Sequence, residues 1–144
     1  MSRILVALAA VLITAGCGGA ARLSRADYAA KADAICSRSA RQISALGQPG
    51  NLTQLARFAA RSVRIARKAI VDVRALKPPR DEEAAARRWT AQVARVADEV
   101  AALGKAARAN DRPDAQKALA RGNAANSQAR ALARRLGMNV CATD

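Results

Sequence analysis

Three cysteines, a run of five cations and a complete lack of histidine set the limits on what this chain can do chemically. A cysteine sulfur can be acylated, oxidised or metallated. Histidine is the commonest general base and metal ligand, so both roles lose their usual residue. Cys36 and Cys141 alone, with no histidine to complete a ligand set, make a poor zinc site. Asp33 and Asp72 stand as isolated acids, and helical spacing puts no pair of carboxylates on one inward face. The Glu-x-x-His signature of di-metal bundles is absent from the sequence. The glycines around Cys17 (Gly16, Gly18, Gly19) do not form a phosphate-binding loop. These observations predict a non-enzymatic protein with no catalytic residue, no cofactor and no metal.

The third cysteine has a different setting. Met1-Ser2-Arg3 is a short basic start, and Ile4 to Ala15 is an unbroken apolar run. Such a run of about 12 residues follows the order of a signal peptide and falls short of the roughly 20 that cross a bilayer. Ile13-Thr14-Ala15-Gly16-Cys17 resembles the bacterial lipobox, in which Cys is acylated on sulfur and becomes the mature N-terminus. Ala15, Gly16 and Cys17 match it, while Thr14 stands where Leu is usual. The alternative is an ordinary cleaved leader with a cysteine nearby. The expected organisation is a signal peptide over 1–16, a lipidated Cys17 and flexible tether over 17–23, and a single domain over 24–144. The expected location is the extracytoplasmic face of the cell membrane, held by a lipid anchor.

Cysteine arithmetic agrees with that address. Acylation removes Cys17 from an odd count of 3. Cys36 and Cys141 remain as a natural pair in an oxidising compartment. Bridging them closes a loop of about 105 residues, worth roughly 4–5 kcal/mol in the chain-entropy account. Their separation does not suit a Cys-x-x-Cys redox couple, so a structural staple is expected.

Hydrophobic period defines the elements that must hold these residues. A first helix begins at Ser24, with Asp27 as an approximate capping box, and carries Tyr28, Ala32, Ile35, Ser39, Ile43 and Leu46 on one stripe. Gly47 and Pro49 end it, and Cys36 lies at the margin of its buried face. A second helix spans about Leu52 to Leu76, with Leu52, Leu55, Phe58, Val63, Ile70 and Val73 on its apolar arc. Pro78-Pro79 stops it. A third starts near Asp81, with Glu82 and Glu83 favouring its N-terminal dipole, and has a seam of Trp89, Val93, Val96, Val100, Leu103 and Ala107. A fourth follows Asn110-Asp111-Arg112-Pro113 along Ala118, Gly122, Ala125, Ala129, Leu132 and Leu136, and stops at Gly137. Short turns between four helices predict an all-α, antiparallel, up-down-up-down bundle. In that topology the tail returns along the first helix and brings Cys141 to Cys36. The small residues of the fourth seam predict close helix approach and a filled interior rather than a pocket. Trp89, in register with Val93 and Val96, reads as core, and so does Tyr28, whose hydroxyl is within reach of the bundle end.

Beyond the cysteines, one surface feature suggests a function. Arg57, Arg61, Arg64, Arg67 and Lys68 occupy the second helix with no acid between Thr53 and Val71. Like charges four residues apart repel mildly, so an anionic neighbour would relieve them. Anionic lipid headgroups or acidic wall polymers are the candidate partners. The bland alternative is a solvated arginine face, offset in part by Asp98 and Glu99 across the bundle. A formal charge of +14 at pH 7 also suits nucleic acid, but export and an aromatic content of 2% argue against that partner. Asn51-Leu52-Thr53 matches a glycosylation acceptor and is uninformative behind a bacterial export signal.

Tyr28-Ala29-Ala30-Lys31-Ala32-Asp33-Ala34-Ile35-Cys36, the proline pair Pro78-Pro79, and the closing Leu136-Gly137 and Cys141 together resemble a group of small exported proteins and lipoproteins of actinobacteria. The resemblance covers most of the mature chain through short motifs. It implies a helical domain with a terminal disulfide, and implies no activity.

The leading expectation is therefore a lipid-anchored interaction or structural module of the cell envelope, its basic face toward anionic membrane or wall polymers. The alternative is an extracytoplasmic binding protein for a small or lipidic ligand held between helices. A lined cavity of a few hundred Å³ would favour the second.

Overall fold

The computed structural model describes residues 21–143, so the expected leader, Cys17 and the first part of the expected tether lie outside the described residues. Four helices follow one another: α1 Arg25–Ser44, α2 Leu52–Arg74, α3 Glu83–Ala109 and α4 Arg112–Arg135. They form an antiparallel up-down-up-down bundle, and no strand occurs among the described residues. Short 3-10 turns precede α3 (Arg80–Glu82) and end the tail (Val140–Ala142).

Local chemistry fixes the helix ends. Ser24 caps α1 by accepting from the Asp27 amide at 3.1 Å, and Asp111 caps α4 by accepting from the Asp114 amide at 3.0 Å. Asn51 caps α2 through the Gln54 amide, while Gln54 Oε1 accepts from the Gly50 amide at 2.7 Å. Asn51 thus acts as a helix cap, a role its glycosylation-like motif did not suggest. Asn110 ends α3 in the left-handed region, and Gly137 at φ +75° ends α4. The Met138 amide then donates to the Ala133 carbonyl, which closes a Schellman turn.

The tail returns to α1 as topology demanded. Cys36 and Cys141 are bridged, with Cα atoms 5.4 Å apart and a sequence separation of 105. Asp33, one turn before Cys36, accepts from the Asn139 amide at 2.8 Å and from the Cys141 amide at 2.9 Å. The isolated acid of the sequence is therefore the clamp that orders the disulfide-bearing tail. Met138 is fully buried, because the returning chain seats it over the end of the core beside Tyr28 and Leu136.

Two expectations about helix faces are corrected. Leu52, expected on the buried arc of α2, is its first residue and is 43% exposed. In α3 the valines of the seam are only half-buried, while Ala86, Thr90, Ala97, Gly104 and Ala106 are buried. The reason is that α3 packs between α2 and α4 and needs small residues along its lines of close approach. Gly104, inside a helix rather than between helices, is the tightest case. A Cβ built there would lie 2.8 Å from the Ala59 Cβ. Gly104→Ala is therefore expected to lower stability by up to about 2 kcal/mol, because overpacking of about 1–3 kcal/mol offsets the ~1 kcal/mol gain in helix propensity. Gly122→Ala is the control, since its Cβ would meet the Glu99 Cβ at an ordinary 3.4 Å. Urea titration of both should give shifts of opposite sign. Two destabilised variants of equal size would mean that propensity and backbone geometry, not helix contact, govern these positions.

Candidate ligand cavity and basic surfaces

The helices leave a cleft beside the core. It measures about 290 Å³, lies between all four helices and the tail, and opens to solvent past Ala40, Asn126 and Val140. Ile35, Ile43, Ile70, Val93 and Val96 supply bulk to its walls, and Trp89 and the Cys36–Cys141 bridge border it as well. The core-side walls Ile35, Ile70, Trp89 and Ala129 are buried as a filled core requires, and the cleft lies on their outer side. Small residues do draw α2, α3 and α4 together, as at Gly104. On the α1 side, however, Ala66, Ala69 and Ala129 face the space without reaching across it.

The lining is mainly apolar, with Ser39, Asn126 and Thr143 as its polar side chains. Trp89 is 4% exposed, as expected of a core residue, yet its Nε1–H is buried without a hydrogen-bond partner. An indole N–H buried in this way usually finds an acceptor. Such a space takes an apolar body, and the Trp89 Nε1–H is the one buried side-chain donor without a partner among its wall residues.

The basic run of α2 is exposed along its whole length. Arg67 reaches Asp98 at 3.3 Å and Lys68 reaches Asp72 at 2.8 Å. Arg57, Arg61 and Arg64 form no ion pair among the described residues. The offset expected from Glu99 does not reach α2, because α3 turns this acid toward α4. There it pairs with Arg121 at 2.9 Å, and that hydrogen bond holds its carboxyl below the usual range. Asp72 is likewise no isolated acid, as Lys68 holds it.

A second basic surface, unread in the sequence, gathers where α1 begins and α2 turns into α3. The Leu23 amide donates to the Lys77 carbonyl at 2.8 Å, and Arg22 Nη1 donates to the Pro78 carbonyl at 3.0 Å. These bonds pin the start of the domain against the α2–α3 turn. Arg25 pairs with Glu82 Oε1 at 3.1 Å, while Glu82 Oε2 is buried without a partner. Burial first, and the neighbouring Glu82 carboxylate second, push the Tyr28 phenol above its usual value, so it stays protonated. Among the described residues no group of three or more potential ligands is arranged to hold a metal, and no helix is long and apolar enough to cross a membrane.

Comparison of the chain with protein-family models, with curated proteins and with solved structures returned no match.

Proposed function

We propose that the chain is an extracytoplasmic, non-enzymatic binding protein, tethered to the membrane through acylated Cys17, whose bundle holds one small apolar or lipidic ligand. The observation that carries this reading is the half-open cleft of about 290 Å³ lined by all four helices and the stapled tail. Small-molecule sites run from roughly 300 to 1,000 Å³, and an engineered apolar cavity of about 150 Å³ already takes up benzene. The cavity therefore suits a single aromatic ring system or one medium-length chain, not a complete two-chain lipid. The leader, the lipobox-like residues before Cys17 and the likeness to exported actinobacterial proteins support the address, and they belong to the same proposal.

Trp89 is the only tryptophan of the chain, so its emission reports on the cavity. The full chain, reconstituted in phosphatidylcholine vesicles, is titrated with a brominated medium-chain fatty acid. We expect saturable quenching of Trp89 at one equivalent, abolished by Ala69→Phe, which fills the space from α2. Quenching that rises linearly with probe and ignores Ala69→Phe would reduce the chain to an interaction module with an unused internal gap.

A second reading keeps one observation of its own. The Arg57, Arg61 and Arg64 guanidiniums have no carboxylate partner and lie on the part of α2 farthest from the start of the domain. They suit an acidic wall polymer, as the interaction-module reading requires.

A further inference from the structure

We propose that the end of the bundle where the chain enters from its tether is an oxyanion pocket of the phosphate class, filled by the headgroup phosphate of an anionic membrane lipid. The pocket is a separate space of about 450 Å³ on the outer side of the α2–α3 turn. Four cations border it: Arg22, Arg74, Lys77 and Arg87. Only one carboxylate answers them. Glu83 is shared between Arg22 at 3.0 Å and Arg87 at 2.8 Å, which leaves Arg74 and Lys77 with no ion pair. Like charges held in one concavity repel, and a doubly or singly charged oxyanion removes that cost with charge-assisted hydrogen bonds.

An independent observation points the same way. Tyr28 borders the pocket, is 1% exposed, and its hydroxyl makes no hydrogen bond among the described residues. A phenol held protonated can act as a donor to an anion. Charge alone would call for cations on any surface, whereas a phenol hydroxyl with no hydrogen bond, on a residue bordering the same space as four cations, marks one point in space. Glu82, whose charge acts on the phenol, is engaged by Arg25 through Oε1 alone.

Position explains the source of the phosphate. Arg22 is five residues beyond Cys17, and the bonds from Arg22 and Leu23 fix this end of the bundle nearest the anchor. An extended chain spans at most about 3.5 Å per residue, so the pocket is held within roughly 18 Å of the acylated sulfur. Arg57 lies 17 residues before Arg74, which at 1.5 Å per helical residue is about 25 Å farther out. The bundle then stands on the membrane with its α2–α3 turn down, and the α2 stripe faces outward. The lipid source rests on acylation of Cys17; binding of free phosphate does not, so the two failures can be told apart.

Lys77 supplies the readout. The full chain is reconstituted in vesicles of phosphatidylcholine alone, of phosphatidylcholine with phosphatidylglycerol, and of phosphatidylcholine with added inorganic phosphate. Acetylation of Lys77 by an amine reagent is followed by peptide mass spectrometry, with Lys105 at the opposite end of α3 as the internal control. We expect Lys77 to react about fivefold more slowly with phosphatidylglycerol present, Lys105 to be unchanged, and Tyr28→Phe or Arg74→Gln to restore the rate. Tyr28→Phe keeps every charge, so it separates the pocket from general attraction to an anionic surface. Slowing by inorganic phosphate but not by phosphatidylglycerol would retain the oxyanion pocket and overturn its lipid source. Equal slowing of Lys77 and Lys105, protection that survives Tyr28→Phe, or no protection in any arm would overturn the pocket.

Discussion

Replacing Cys36 and Cys141 together by alanine is expected to lower stability by about 2–5 kcal/mol, the usual loss for a native disulfide. For a domain of this size the melting temperature should fall by roughly 8–20 °C. The loop between the two cysteines spans most of the domain, so the unfolded chain gains much freedom when it opens. The folded state also loses. The bridge holds the tail that seats Met138 and Ala142 in the core, and that lets Asp33 accept two amides. Thermal scans of the unmodified chain with and without reductant should differ by as much as the double variant differs from the oxidised protein. Asp33→Asn in the reduced background should then remove little more, because the clamp needs the tail in place. A melting temperature unchanged by reductant would show that Met138 packing alone keeps the tail docked, and that the bridge is dispensable.

The architecture was legible in the sequence because its signals are local and agree with one another. Ser24, Pro113, the Pro78-Pro79 stop and Gly137 punctuate the chain where the helices begin and end. Between them the spacing of Tyr28, Ala32 and Ile35, or of Val63, Ile70 and Val73, settles which face is buried. Four such helices joined by short turns leave the tail beside α1, so the Cys36–Cys141 pairing follows from topology.

The cavity was not legible, for a physical reason. Period shows which face of a helix turns inward, but not how far that face stands from the next one. Ala69 and Ala129 have the same pattern whether they touch a neighbour or border a space, and here they border one. The partner of Glu99 was missed for a related reason. A helix packed on two sides can aim a residue at either neighbour, and a small rotation of α3 chooses Arg121 over α2. The basic pocket brings Arg22 together with Arg74, Lys77 and Arg87 from distant parts of the chain. Only the Asp33 clamp left a usable trace. Asp33 and Cys36 are three residues apart on one helix, so an acid beside the bridge must face whatever the bridge brings in.

Trp89→Ala should be the most damaging single substitution in the core, at about 3–5 kcal/mol. Trp89 is buried in the main apolar cluster and also borders the 290 Å³ cavity, so its removal merges two spaces. Cost in such cases rises with the void that remains, and the Cys36–Cys141 staple limits how far the walls can collapse inward. The same argument predicts rescue. Indole, which restores the missing ring, should stabilise Trp89→Ala progressively with concentration, by about 2.7 kcal/mol at a hundredfold excess over its dissociation constant, and raise its melting temperature accordingly. Circular dichroism is the readout, since the variant carries no tryptophan. Trp89→Phe separates the two properties of the residue. It keeps most of the ring and deletes the unpartnered N–H, so it should cost far less than Trp89→Ala in the empty protein. If the site binds a ligand through that donor, Trp89→Phe should still weaken binding of an acceptor-bearing ligand while leaving a purely apolar one unaffected. Loss of both alike would make Trp89 a packing residue only, and the cavity a space read by shape.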